Sequence, residues 1–183
     1  IDYLLFDCLS CKPLLFKRFI RRVVEKLKGY DVISAHSFVG GMMAWEVCCA
    51  EGTPYFVTWH GSDIHTHPFR NHLQMHQTGL IMQNARCNFF VSRALSEASV
   101  RICDDASIVR EVLYNGVSKD FVRYSDEVRA GLRHTRGVGE NAKVVTFAGN
   151  LSQVKNVRVL APVFKAVRAG YEGDLQFWII GDG

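Results

Sequence analysis

No run of apolar residues in this chain approaches the roughly 18–20 needed to span a bilayer. No period of 20–50 residues repeats, which excludes a solenoid. The zinc-peptidase pattern HExxH is missing. His60, His65 and His67 do lie close together and His72 and His76 stand four apart, but the segment is polar enough for a solvated loop and helix, so no metal is expected. Cys8-Leu9-Ser10-Cys11 has no second CxxC at zinc-ribbon spacing. Among the other cysteines, Cys48 and Cys49 are adjacent in a helical pattern and Cys87 opens a strand-like run. That is not the spacing of a disulfide framework, so reduced thiols and a reducing, cytoplasmic compartment are expected. The start, Ile1-Asp2-Tyr3, carries no charged n-region and reads as the interior of a domain rather than a signal peptide.

What is present is a globular composition. Of 183 residues, 48% are hydrophobic and 22% charged, enough to bury a core without staples. The charge is uneven. Six cations (Lys17, Arg18, Arg21, Arg22, Lys26, Lys28) and one acid (Glu25) put +5 on one segment, which leaves about −1 for the rest of a chain of net +4. Phe16, Phe19, Ile20, Val23, Val24 and Leu27 form the opposite face of the same helix, expected over 14–28. The basic face reads either as a solvated surface or as a peripheral contact with anionic lipid, where each nearby cation contributes about 1 kcal/mol. Aromatics are not interleaved with the cations, which argues against nucleic acid.

After that helix, strand and helix alternate. Strands are expected at 31–35, 55–59, 87–91, 108–113, 144–148 and 175–180. Helices are expected at 41–51 with Gly52 as C-cap, around 69–85, from an N-cap at Ser92 through Ile102, and over Val157–Val167 ended by Gly170. Only 118–142, charged and with three glycines, breaks the rhythm and reads as a linker with one short helix at most. Alternation with short turns predicts parallel sheets covered by helices, the doubly wound α/β class.

Ligands of such sheets bind beyond the carboxyl ends of the strands. Three polar clusters fall there: His60-Gly61-Ser62-Asp63, Asn115-Gly116, and Gly149 to Lys155. The last is a strand, a glycine-led loop and a helix start carrying a lysine. Free N–H groups at a helix N-terminus together with an ammonium attract phosphate. It contains neither GxxxxGK[ST] nor GxGxxG, and spacing alone leaves open a plain surface lysine in the first turn of a helix.

In order along the chain stand a strand ending in HGxD, a strand ending in Asn115-Gly116-Val117 with Phe121 following, then FAGNLSQVKN, then WIIGDG. This succession, from about Asp31 onward, resembles the family-four retaining glycosyltransferases of the GT-B fold. The resemblance implies two Rossmann-like domains, both incomplete here: a partial acceptor-side domain over 1–117, a linker over 118–142, and the start of a donor-binding domain over 143–183. It implies catalytic roles for His60 and Asp63, with His60 lying in the cleft between domains and contacting the transferred sugar and Asp63 also shaping the loop, and acceptor-contacting or loop-shaping roles for Gly61 and Ser62. It implies donor binding by Gly149, Asn150, Lys155, Asn115, Gly116, Gly181 and Asp182, with Lys155 holding the donor diphosphate. The implied reaction moves a sugar from a nucleotide-sugar to a glycan or lipid-linked acceptor with retention, in cell-envelope polysaccharide synthesis, without metal or cofactor. Nucleotide-sugar epimerisation on the same fold and a non-catalytic binding relative are the alternatives. Asn150 stands where many members carry arginine, and the family's paired glutamates would lie beyond Gly183. The chain by itself is therefore expected to be inactive.

Overall fold

Short segments rich in aromatic and branched residues form parallel strands, and the segments between them form helices. A computed structural model of the chain describes residues 13–183, with side chains from residue 19 onward. Cys8, Cys11 and the Ile1-Asp2-Tyr3 start lie outside the described residues, as do the side chains of Phe16, Lys17 and Arg18. The chain divides into two compact units, Ile1–Gly116 and Val117–Gly183.

In the first unit, α1 (Pro13–Leu27) leads into β1 (Ile33–His36), α2 (Ser37–Glu51), β2 (Tyr55–Trp59), a short α3 (Ser62–His65), α4 (His72–Asn84), β3 (Cys87–Phe90), α5 (Arg93–Ser99) and β4 (Arg110–Val112). The strands form one parallel sheet in chain order, β1-β2-β3-β4. Along β2, Tyr55, Val57 and Trp59 are fully buried while Phe56 and Thr58 are half-buried, the two-residue period of a strand with one core face. Val47 of α2 and Ile81 and Met82 of α4 complete that core. On α1, Val23 is buried and Arg21, Arg22 and Lys26 are exposed, so the expected division of the helix into two faces holds where side chains are described.

Several boundaries differ from expectation, each for a physical reason. Helix α2 begins at Ser37, not at residue 41. Gly40 and Gly41 lie inside it, and Gly41 is buried. The expected helix around 69–85 is split: a 3-10 turn covers Pro68–Arg70, and Asn71 then caps α4 by accepting the Gln74 N–H at 2.9 Å. Ser92 caps α5 as expected, accepting the Leu95 N–H at 3.2 Å. That helix stops at Ser99, where the N–H groups of Val100, Arg101 and Ile102 bond three residues back, to Glu97, Ala98 and Ser99; Arg110 then donates to the carbonyls of Cys103 and Asp105.

The second unit holds α6 (Asp126–Thr135), β5 (Lys143–Ala148), α7 (Leu160–Ala169) and β6 (Leu175–Ile180), with β5 and β6 paired in parallel. Phe164 of α7 stacks on Phe177 of β6, centroids 4.3 Å apart. Within 118–142, Ser125 caps α6 by accepting the Val128 N–H, and Arg133 donates to the carbonyls of Gly139 and Ala142. Gln176 of β6 donates to the Gly137 carbonyl. Helix α7 begins at Leu160 rather than Val157. Pro162 has no N–H to give to an earlier carbonyl, so it is accommodated only in a first turn. Among the described residues no helix is long and apolar enough to cross a membrane.

One buried side chain ties three elements of the first unit together. Asn88 is fully buried in β3. Its Oδ1 accepts from Trp59 Nε1 at 3.0 Å, and its Nδ2 donates to the carbonyl of Met82 at 2.9 Å. Truncation would leave a buried indole N–H and a carbonyl unsatisfied, each costing about 1–3 kcal/mol. Asn88→Ala is expected to destabilise the protein by about 3 kcal/mol or more, measured as a shift in the denaturant midpoint with little change in slope.

Candidate functional site

The carboxyl ends of β1 and β2 bring two histidines together. Parallel register sets His36 opposite Thr58, and His60 is the first residue after the end of β2. Both therefore project from the sheet face opposite Ala35, Val57 and Trp59. His36 Nδ1 and His60 Nε2 are 2.9 Å apart, with ring centroids 5.2 Å apart and planes at 22°. Both residues are exposed.

The backbone of this loop is held from beneath. Asp63 is buried, and its carboxylate accepts the N–H of His60 at 3.0 Å and that of Gly61 at 2.7 Å. Gly61 turns the chain at φ 144°, a conformation that excludes ordinary side chains, so β2 can end and α3 begin within two residues. Ser62 opens α3, and its carbonyl accepts the N–H groups of Thr66 and His67. Next to His36, Ser37 sits at φ 61°, a left-handed conformation that costs a non-glycine residue about 1–3 kcal/mol. Just beyond it, Phe38 packs on the ring of His67 at 3.9 Å between centroids. His67 Nε2 is buried without a hydrogen-bond partner. Burial holds the His67 imidazole below its ordinary value of 6.5. Arg70 adds to the effect and Asp63 partly offsets it.

The sequence pointed to His60, Gly61, Ser62 and Asp63, which the structure places in one loop, and did not point to His36 beside them. The expected strand stopped at residue 35, and the meeting of His36 with His60 depends on a strand register that the sequence alone does not show.

The other predicted residues lie elsewhere. Asn115 and Gly116 are exposed beyond β4, at the end of the first unit. In the second unit the loops after β5 and β6 run side by side. Gly149 N–H donates to the Ile180 carbonyl at 2.9 Å, and Leu151 N–H to the Asp182 carbonyl at 2.8 Å. A Cβ on Gly181 would collide with the Gly149 carbonyl, and its φ is 140°, so this close approach requires glycine. Asn150 is exposed on this ledge. Lys155 is not in the first turn of a helix. It ends a 3-10 turn, Gln153–Lys155, and Asn156 then takes a left-handed conformation at φ 50° before a second turn leads into α7. The helix N-terminus lies five residues beyond the lysine. A three-residue turn aligns too few peptides to act as a helix dipole. Positive charge in this loop therefore comes from the exposed Lys155 ammonium. A separate cavity of about 470 Å³ lies against Trp178 and Leu132 and is lined by none of the predicted site residues.

Two consequences are measurable. Asp63→Asn replaces an acceptor-only carboxylate with a group that must present an N–H or a weaker carbonyl to two donors. It should destabilise the protein by about 2–3 kcal/mol, read by denaturant titration. For His67, the folded form binds a proton less readily than the unfolded form. Its contribution is complete above 6.5 and falls as pH drops through that value. Wild type should therefore lose more stability than His67→Asn on acidification from about pH 7.5 to about pH 5.5, in parallel unfolding curves.

The family model described as Glycosyltransferase Family 4 matches residues 3–121, more than half of the chain. Anabaena HepE in complex with UDP-glucose aligns with a TM-score of 0.72 and 21% identity, covering 93% of this chain and 45% of that one. The same protein with UDP and glucose aligns at 0.72 and 20%, over 91% and 43%. Sucrose-phosphate synthase from Thermosynechococcus elongatus aligns at 0.69 and 15%, over 94% and 44%. The chain thus spans just under half the length of these structures, and the likeness establishes their GT-B α/β fold. A search of curated proteins finds no match. The expected resemblance and fold class both stand, and the chain belongs to Glycosyltransferase Family 4.

Proposed function

We propose that this chain is part of an enzyme that transfers a sugar from a nucleotide-sugar donor to a hydroxyl of a glycan or lipid-linked acceptor, with retention at the anomeric carbon. The observation that carries the reading is the loop after β2. In a family-four sequence, His60 is exposed at the carboxyl end of a central strand, with its backbone and its ring each held by a hydrogen bond. Exposed residues at that sheet edge are where parallel α/β folds bind ligands. HepE has been observed with UDP-glucose, which makes UDP-sugars the first donors to test.

In this reading His60 orients the transferred sugar through its ring. Asp63 touches no substrate and acts by holding the N–H groups of His60 and Gly61. Lys155 stabilises the departing diphosphate. Asn150 supplies no charge there, so electrostatic stabilisation of the leaving group falls on the ammonium. Gly149, Gly181 and Asp182 form the ledge beside it, and Asn115 and Gly116 lead out of the acceptor-side unit. The reading includes no metal, because the lysine meets the developing negative charge. The basic face of α1 (Arg21, Arg22 and Lys26) would attract an anionic membrane surface carrying the acceptor, consistent with a cytoplasmic, peripheral enzyme of envelope polysaccharide synthesis.

The complete protein should turn over a nucleotide-sugar in the presence of acceptor and release the nucleoside diphosphate. The anomeric configuration of the product, read by proton NMR, should match that of the donor. Lys155→Ala should lower turnover by roughly 10²–10³. An inverted product would end the retaining assignment, and near-normal turnover would end the role of Lys155.

A further inference from the structure

We infer that His36 is a positioning residue that fixes the ring orientation of His60 and couples the tautomer of that ring to its own. The inference rests on the sugar-contact reading of His60 for its consequence in catalysis, but the pairing itself rests on geometry alone. Two imidazole nitrogens 2.9 Å apart, in rings tilted by only 22°, must share one proton. Two lone pairs or two N–H groups at that distance would repel.

In the neutral pair the proton belongs either to His36 Nδ1 or to His60 Nε2. Each choice dictates the outer atoms. If His36 Nδ1 holds it, His60 Nδ1 carries a hydrogen and His36 Nε2 is a bare acceptor. If His60 Nε2 holds it, the outer roles reverse. The two outward nitrogens therefore always have opposite character, one donor and one acceptor. Adjacent sugar hydroxyls can each donate and accept, so a pair of this kind matches a vicinal diol in either state.

The surrounding structure keeps the rings in this relation. His36 is the last residue of β1, in register with Thr58. The left-handed Ser37 turns the chain away immediately after it. His60 is tethered at its own N–H by Asp63. Its ring has one partner among the described residues, and that partner is His36. Removing His36 leaves the His60 backbone in place and frees its ring to rotate and to exchange tautomers. A loss of that kind alters the chemical step more than donor affinity.

The test uses the complete protein with histidines labelled with ¹⁵N, at a pH of about 8, above the ordinary histidine range. Long-range proton–nitrogen spectra of wild type should show His36 and His60 in the same tautomer, both protonated at Nδ1 or both at Nε2, with the His60 shifts displaced from those of an unpaired imidazole. In His36→Phe, the two ring nitrogens of His60 should move to the shifts of an unpaired imidazole. His36→Asn places an amide where Nδ1 stood and should keep the wild-type pattern. His36→Gln reaches the position of Nε2 instead and should not. In sugar transfer, His36→Phe should lower kcat roughly tenfold with donor KM little changed, and His36→Asn should recover most of the loss. Added to His60→Ala, His36→Phe should cost nothing further.

Identical His60 spectra in wild type and His36→Phe would overturn the inference, as would equal losses in the Asn and Phe variants or an additive loss in the double variant. Near-normal turnover in His60→Ala would instead sink the sugar contact proposed for His60, and the spectra would still decide the pairing.

Discussion

Between β1 and β2 the parallel ladder sets Ile33 opposite Tyr55 and His36 opposite Thr58, and the polar edge of the first unit follows from that register. The core face of β2 carries Tyr55, Val57 and Trp59, all fully buried. A slip of one residue would turn those three outward and bring Phe56 and Thr58 into the core. The burial of two large aromatic rings therefore fixes the ladder, and the ladder fixes how far β1 and β2 reach. The histidines meet because the core permits only one alignment of the strands that carry them. Asp63 acts after this, holding the chain where β2 has already delivered it.

The two units offer ligands different kinds of surface at their strand ends. The first presents side chains, namely two imidazoles over a buried carboxylate. The second presents backbone. Gly149 and Gly181 let the two post-strand loops continue the β5–β6 hydrogen-bonding pattern beyond the sheet. Such a ledge lacks side chains at its closest point and carries its one cation, Lys155, further along. A group placed on it would meet peptide dipoles first and a flexible ammonium second.

Much of this was legible because local signals agreed with tertiary demands. The span of β6 was read without error, and Ser92 and Gly52 cap the helices they were expected to cap. The errors fell where a single residue had two meanings. Gly40 and Gly41 looked like a break before a helix, but α2 absorbs them and buries Gly41. Val157 opened an apolar helical stripe, and the stripe concealed the limit set by Pro162 on where α7 begins. His36 fell one residue past the strand expected at 31–35 and was given no role. Its significance lies in a contact with a residue 24 positions away, which no window along the chain contains. Register had to be known before the pair could be seen.

The late start of α7 changes the electrostatics of the second unit more than its fold. A lysine in the first turn of a helix would have shared the task of holding a diphosphate with several aligned N–H groups and their dipole. In the structure Asn156, in a left-handed conformation, separates Lys155 from the aligned peptides of α7. The preceding turn consumes the N–H groups of Lys155 and Asn156 in bonds to Ser152 and Gln153. Asn150 adds dipole but no charge. The ammonium is therefore the only full positive charge between Gly149 and Val157. A single point charge on a mobile stem neutralises phosphate without imposing a fixed geometry on it. Orientation of a phosphate-bearing group held there would then have to come from contacts to its other parts.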